Sequence, residues 1–576
     1  MVIEWDAPIT MDDGLVLRAD IYRPPGPGPF PVLMTHGPYS KGLSFQEGYA
    51  FAWNQLARER PDALEGSSNK YQAWEAPDPE IWARDWGYVC IRVDSRGAGR
   101  SPGFLDCYSP RETQDYANCI EWAGAQHWSN GKVGLTGISY YATNQWQVAA
   151  LRPKHLAAMC PFEGACDFYR DALRHGGILS SFMIRWYPAQ VSTVQHGLGS
   201  RGAVNRNTGE PVAGPETLDP QDMAKNAADL PSQQRATRLA TDAYFMERSP
   251  CLEDIEVPFL SRGNWGGLAM HLRGNTEAFM RASSSHKWLE MHGDTHWTDY
   301  YTPEGRELMR RFFDHFLKGE DNGWDKEPPV LLNVRHPGEK FVARRENEWP
   351  LARTRWTPSF LDGATLALSG EPAATQSQVE FRGYSQGHTF YTPPMLEPTE
   401  ITGPVTAKLF VSSSTEDADI FLALRAFAPN GREVLFQGAA DPNVPLSFGW
   451  LRASQRKLDP ARSLPYRPWH SHDEQQPLKP DAIYELDIEI WPTSIVLPAG
   501  YRLALTVGGK DFDHGLPGPT IPNAPPQYGK LRMTGCAILV HDVEEDRPAS
   551  IFDGMTTIHT GGRYASFVRL PVIPTP

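Results

Sequence analysis

Ser139 stands between a run that reads as a β-strand and a run that reads as an α-helix. Val133 to Ile138 is short and largely apolar, Gly137 lies two residues before the serine, and Tyr140 to Ala150 continues without Gly or Pro. A strand that turns into a helix within one or two residues strains the backbone at the corner. A serine placed there carries its hydroxyl above the edge of a sheet. The same corner aims the N–H of the next residue, Tyr140, at an oxyanion formed on an attacked carbonyl carbon. Tyr141 replaces the second Gly of the usual Gly-x-Ser-x-Gly pattern, so the corner alone also fits an ordinary strand–turn–helix with a buried serine.

Two upstream segments narrow the choice. Tyr88 to Val93 reads as a strand and runs into Asp94-Ser95-Arg96-Gly97-Ala98-Gly99-Arg100-Ser101, where the glycines permit a tight backbone path. Pro31 to Thr35 reads as another strand, followed by the turn His36-Gly37-Pro38-Tyr39. Strand, glycine turn and serine corner in this order give the layout of an α/β-hydrolase, in which the His-Gly turn completes the oxyanion hole.

With Met11-Asp12-Asp13-Gly14, Pro38-Tyr39, Arg96-Gly97-Ala98-Gly99, Gly137-Ile138-Ser139-Tyr140 and Trp450-Leu451-Arg452 in place, nearly the whole chain resembles the cocaine esterase and nonactate hydrolase-like family. That family is related to X-prolyl dipeptidyl peptidases and α-amino acid ester hydrolases. The resemblance implies that the Tyr39 hydroxyl and the Tyr140 N–H form the oxyanion hole. It also implies a catalytic histidine in the loop after the last core strand. Lys287 to Met291 reads as that strand and His292-Gly293-Asp294-Thr295-His296 follows, so His296 is the expected base and His292 its nearest competitor.

The acid departs from the family pattern. Where the family ends a strand with Gly-Trp-Tyr-Asp, this chain has Gly263-Asn264-Trp265-Gly266-Gly267, and the carboxylate is gone. Some α/β-hydrolases carry the acid one strand earlier. Glu163, in the run Phe162-Glu163-Gly164 directly after the strand His155–Pro161, is the expected replacement, ahead of Asp294, Asp299 and Asp167. Trp265 and the aromatic residues Phe182 and Trp186 are expected to contact substrate.

The expected architecture is a doubly wound α/β-hydrolase sheet with an inserted helical cap and a C-terminal jelly-roll β-sandwich. The core occupies 1–164 and 249–345, the cap 165–248 and the sandwich 346–576. The cap is expected because 165–248 has helical periodicity and few strand runs. The sandwich is expected because short alternating runs between Gly, Pro, Asn and Asp turns fill the C-terminal part, and the family resemblance implies that it is a jelly roll. Residues 42–80 lengthen the loop after Tyr39 and are placed to overhang the site.

A net charge of −14 disfavours nucleic acid. The seven cysteines are odd in number and show no Cys-x-x-Cys spacing, which argues against a metal or a disulfide framework and for a reducing, cytoplasmic location. Neither a leader pattern nor a run of about 18 apolar residues is present. The expected activity is cleavage of a small carboxylic ester, or an amide, through an acyl-enzyme, with no cofactor. An X-prolyl dipeptidyl peptidase or β-lactam acylase would use the same chemistry. An inactive binding protein that kept the fold is the rival from another class. The oligomeric state, including a homo-oligomer, is left open.

Overall fold

The structure is a computed structural model and describes residues 1–516, 532–536 and 538–574. The first layer is a ten-stranded sheet. Its strands are β1 (Val2–Thr10), β2 (Val16–Arg23), β3 (Phe30–Gly37), β4 (Val89–Asp94), β5 (Ser129–Ile138), β6 (Leu156–Phe162), β7 (Phe259–Asn264), β8 (Lys287–His292), β9 (Val330–His336) and β10 (Lys340–Glu346). They lie in the order β1-β2-β4-β3-β5-β6-β7-β8-β9-β10. From β4 through β9 every neighbouring pair is parallel, and β1–β2, β2–β4 and β9–β10 are antiparallel.

Parallel strands need crossovers that cover both faces, so the central strands are buried toward their C-terminal ends. β4 and β7 have no exposed or half-buried residue. The doubly wound sheet expected from the sequence is therefore present. The order also puts β5, β6, β7 and β8 side by side, so the residues that leave their C-terminal ends come together above one edge.

The crossovers include α1 (Pro110–Gly124), α2 (Tyr140–Ala150), α3 (Leu272–Arg281) and α4 (Pro303–Phe313). Helix α4 starts at Pro303, the favoured first helical residue, and the Thr302 side chain accepts from the Gly305 N–H. Phe312 and Phe313 are fully buried while Leu308 and Phe316 are partly so, which makes the apolar stripe a core face.

Between β6 and β7 the chain leaves the sheet. It forms short helical segments such as Phe182–Trp186, Pro220–Lys225 and Leu230–Ala236, and a two-stranded ladder of Arg174–His175 with Ile178–Leu179.

The C-terminal part builds a second, eleven-stranded sheet that folds on itself. Thr399–Ser413 pairs with Tyr484–Leu497 and also with both Met555–Thr560 and Phe567–Ile573, so the sheet branches there. Tyr484–Leu497 alternates between buried and half-exposed residues in its first half, then is buried for six residues in a row. That second half meets the core. Buried Arg335 on β9 donates to the Ser494 and Leu446 carbonyls and to Thr493 Oγ1. Among the described residues no helix is long and apolar enough to cross a membrane.

One close approach fixes the geometry of everything above β6. A Cβ on Gly274 of α3 would lie 2.5 Å from the Gly164 carbonyl oxygen and 2.7 Å from Ala165 Cα. A Cβ on Gly164 would lie 2.8 Å from Ala142 Cβ on α2. Two helices thus touch the turn after β6 through the smallest side chains. Gly274→Ala should lower stability by about 1–3 kcal/mol through overpacking. At an ordinary mid-helix site the same change gains up to about 1 kcal/mol. A melting temperature at or above wild type would show that α3 is free to move away from the turn.

Candidate active site

Ser139 occupies the corner between β5 and α2 with φ 59° and ψ −107°, backbone that a side chain tolerates only under constraint. Its N–H donates to the Phe162 carbonyl of β6 at 3.1 Å, and Gly137 before it has φ 139°. The chain bends here because β5 ends against β6 and α2 starts at once. Tyr140 is the first residue of α2, so its N–H has no carbonyl within the helix to bond. The Tyr140 ring is held away from that N–H, since its hydroxyl donates to Glu112 at 2.6 Å.

The Tyr39 hydroxyl accepts from Trp186 Nε1 at 3.2 Å, and the Tyr39 ring meets Tyr140 and Tyr141 edge-on. A cavity of about 20 Å³ lies beside the serine. Ser139, Tyr39, Phe182, Trp186, Met270 and His271 are among the residues that line it.

Glu163 is the first residue past β6. It is fully buried and has φ 52°, a second strained position within a few ångströms of backbone from the first. Its N–H donates to the Arg262 carbonyl of β7 at 2.7 Å. One carboxylate oxygen takes a 2.7 Å hydrogen bond from His296 Nδ1. The other accepts from His292 Nε2 at 3.2 Å and from Asn264 Nδ2 at 3.1 Å. The residue at the end of β7 is therefore an amide that orients Glu163, where the family pattern would supply the acid itself.

The charges continue past His292 in alternating sign. His292 Nδ1 bonds Glu290 at 2.9 Å, Glu290 accepts from Arg262 Nε at 3.0 Å, and Arg262 also bonds Asp299. Glu290, His292 and Asp299 lie close enough together to hold a cation, and the Arg262 guanidinium already bridges the two carboxylates.

The electrostatics follow from burial and neighbours. Burial pushes the Glu163 carboxyl up, and the positive rings of His296 and His292 more than reverse this, holding it at about 2. Burial opposes a charge on His296, but the Glu163 carboxylate and then Glu75 hold it up at about 10. His292 is likewise held at about 10 against burial, chiefly by Glu290.

Two side chains that the sequence reading did not assign complete the site. His271, the residue before α3, places Nε2 3.1 Å from Ser139 Oγ. His296, expected on the serine, instead turns Nε2 to Glu75 Oε1 at 3.1 Å, and its ring stacks on His271 with centroids 5.2 Å apart. The physical reason lies in the excursion after Tyr39. It brings Glu75 under the elbow, where the Glu75 carbonyl accepts from the Ile138 N–H and the buried carboxylate faces the imidazole. Burial pushes Glu75 up to about 7, while its hydrogen bond to His296 works the other way.

The expectation that 42–80 overhangs the site pointed at this segment without naming the residue. The vacancy at Gly266 and Gly267 lay only a few positions from His271, but nothing in the local pattern distinguishes that histidine from a structural one.

The remaining expectations divide. Phe182 and Trp186 line the cavity with Ser139. Trp265 does not. Its side chain turns away from the site, fully buried, and donates Nε1 to the Asn333 carbonyl on β9 at 2.9 Å. Asp167 caps Tyr169 and Arg170 and pairs with Arg170, Asp299 pairs with Arg262, and Asp294 accepts from the Thr295 N–H. None of the three reaches His296. The C-terminal part also takes a share in the site: the His296 N–H donates to the Ala439 carbonyl and the Ala439 N–H to the Gly266 carbonyl, both at 3.0 Å.

Glu163→Gln removes the anion and keeps the shape. By analogy with a triad acid turned to amide, kcat should fall by about 10⁴ with little change in KM. The pH dependence has a definite sign. The raised His296 value gives stability that is full below 6.5 and is lost as pH rises toward about 10. The lowered Glu163 value gives stability that is full above 4.5 and is lost as pH falls toward about 2. The melting-temperature gap between wild type and Glu163→Gln should therefore be widest between those two ordinary values and shrink on both sides. A gap independent of pH would contradict the ion pairing.

With this geometry in place, the likenesses to known proteins can be read. The profile of X-Pro dipeptidyl-peptidase (S15 family) matches residues 13–298, and that of the X-Pro dipeptidyl-peptidase C-terminal non-catalytic domain matches 322–569. A cocaine esterase from Rhodococcus sp. (strain MB1 Bresler) is 25% identical over 98% of this chain and 97% of its own. A crystal structure of a CocE/NonD family hydrolase from Staphylococcus aureus superimposes with a TM-score of 0.83 at 30% identity, covering 100% of this chain and 94% of that one. An α-amino acid ester hydrolase shares the fold, with a TM-score of 0.69 at 16% identity over 99% of this chain and 96% of that one. The chain is a serine hydrolase and belongs to the CocE/NonD family of α/β-hydrolases.

Proposed function

We propose that the protein cleaves a small carboxylic ester through an acyl-enzyme formed on Ser139. The observation that carries this reading is the serine at a strained strand–helix corner, with its Oγ 3.1 Å from His271 Nε2 and the Glu163–His296 pair at the ends of the neighbouring strands. Ser139 attacks the carbonyl carbon. The Tyr140 N–H and the Tyr39 hydroxyl stabilise the oxyanion; among the described residues Tyr39 accepts a hydrogen bond from Trp186 and spends its own proton on no acceptor. His296, oriented by Glu163, accepts the serine proton and returns it to the leaving alcohol.

For that step the proton now on His296 Nε2 must leave. Glu75 bonds that nitrogen, and burial favours the protonated form of its carboxyl, so it is the group placed to take the proton. His296 then exchanges Glu75 for Ser139.

Phe182 and Trp186 bound the acyl side of the pocket. A space of about 20 Å³ holds little more than one water, so substrate entry requires the cap side chains to shift. A dipeptidyl peptidase would need carboxylates free to receive an ammonium. Asp167 and Asp171, two acids that follow β6, are paired with Arg170 and Arg273, which favours the ester. The free state of all seven cysteines agrees with a reducing, cytoplasmic setting as part of the same reading.

A panel of p-nitrophenyl esters, Xaa-Pro anilides and amino acid esters tests the substrate class. Plain esters should give the highest kcat/KM, and a higher value for Xaa-Pro anilides would replace the reading with a peptidase. Ser139→Ala should abolish labelling by a fluorophosphonate and remove nearly all turnover. A residual kcat above about a tenth of wild type would sink the assignment of the nucleophile. Tyr39→Phe should cost about 2.7–4 kcal/mol of transition-state stabilisation, mostly in kcat. A change confined to KM would make Tyr39 a substrate contact instead.

A further inference from the structure

We propose that His271 is a catalytic residue of a second kind: it donates its Nε2–H to Ser139 Oγ, and so orients the hydroxyl for the base without being the base. The inference rests on the reading above, in which His296 takes the proton.

Three observations carry it. His271 Nε2 lies 3.1 Å from Ser139 Oγ. The opposite nitrogen, Nδ1, is buried and has no hydrogen-bond partner. The ring is also held in place. The His271 N–H donates to the Gly267 carbonyl, the ring stacks on His296 at 16° between planes, and α3 directly after it abuts the Glu163 turn at Gly274.

A neutral imidazole has one donor and one acceptor nitrogen. With the proton on Nδ1, a buried N–H would go unpaired and Nε2 would accept from the serine. With the proton on Nε2, the donor is satisfied by Oγ and only a bare lone pair is left without a partner. An unsatisfied buried donor is the costlier of the two, so the geometry selects the Nε2–H tautomer. Burial and the neighbouring charge of His296 hold the ring neutral, with its value down at about 3. A ring of that kind is a poor proton acceptor at neutral pH. Among the described residues no carboxylate bonds either of its nitrogens, whereas His296 Nδ1 is bonded to Glu163 at 2.7 Å.

The proton account then balances. His271 fills one lone pair of Oγ and keeps its proton throughout. The serine hydrogen passes to His296 Nε2 as Oγ bonds the carbonyl carbon, and the alcohol leaves with that proton. In the second half Oγ is itself the leaving oxygen, displaced by water. The donor from His271 then stabilises the negative charge returning to it.

The test compares His271→Gln, His271→Phe and His296→Gln with wild type on p-nitrophenyl acetate, with circular dichroism and melting curves on each. His271→Gln can still present an N–H and should keep kcat within about tenfold of wild type, whereas His271→Phe removes one donor to a reacting oxygen and should lose about 10²–10³ in kcat. KM should change less than about threefold in both, and the acid limb of the kcat/KM profile should stay where wild type has it.

A His271→Gln loss as deep as that of His296→Gln, or a shifted limb, would make His271 the base. Full kcat in His271→Phe would remove it from catalysis. Should the variants fail to fold, ¹⁵N NMR of the wild-type imidazoles decides the tautomer: a protonated Nε2 and bare Nδ1 on His271 support the proposal, and the reverse overturns it. Wild-type kcat in His296→Gln would defeat the assigned base while leaving that tautomer measurement standing.

Discussion

The Glu163 carboxylate lies in the interior between two imidazoles, and the rest of the site is arranged around that placement. An isolated buried carboxylate would pick up a proton. This one stays charged because His296 and His292 bond its two oxygens and Asn264 adds a third donor. The network extends through Glu290 and Arg262 to Asp299, so each charge has a neighbour of opposite sign. Paired buried charges add little net stability, but removing one member leaves another uncompensated. The arrangement therefore fixes one geometry for the ends of β6, β7 and β8 more than it strengthens the fold.

That constraint explains features that look unrelated in the chain. Glu163 takes a left-handed backbone because the turn must both follow β6 and aim inward. Gly164, Ala142 and Gly274 are small because α2 and α3 have to reach that turn. The β-sandwich contributes through main-chain hydrogen bonds of Ala439 to the loops that carry His296 and Gly266. The fold and the chemistry meet at the same few residues, which is where strain and buried charge are expected to concentrate.

Much of this was legible in the sequence, for physical reasons that can be named. The serine corner is a local event, written by Gly137, Ser139 and the helix that follows, and the structure shows it with φ 59°. Glu163 was reachable because the strand order of the fold makes β6 and β7 neighbours, so an acid lost from one can be carried by the other. His271 and Glu75 were not reachable in that way. Each arrives at the serine or at His296 through tertiary packing, 132 and 221 residues from its partner, and no local period marks either. Trp265 was misplaced because adjacent residues leave a strand end in opposite directions. Asn264 points to Glu163, so Trp265 points to Asn333.

The central claim is that His296, held by Glu163, is the base, and that it trades Glu75 for the serine when the site is occupied. The most direct measurement is a crystal structure of the enzyme phosphonylated on Ser139, a mimic of the tetrahedral intermediate. The account predicts that His296 Nε2 has left Glu75 and lies within about 3.2 Å of the phosphonylated Ser139 Oγ or the leaving-group position, with Nδ1 still on Glu163. An adduct in which His296 remains on Glu75, with His271 alone serving the reacting oxygens, would contradict it.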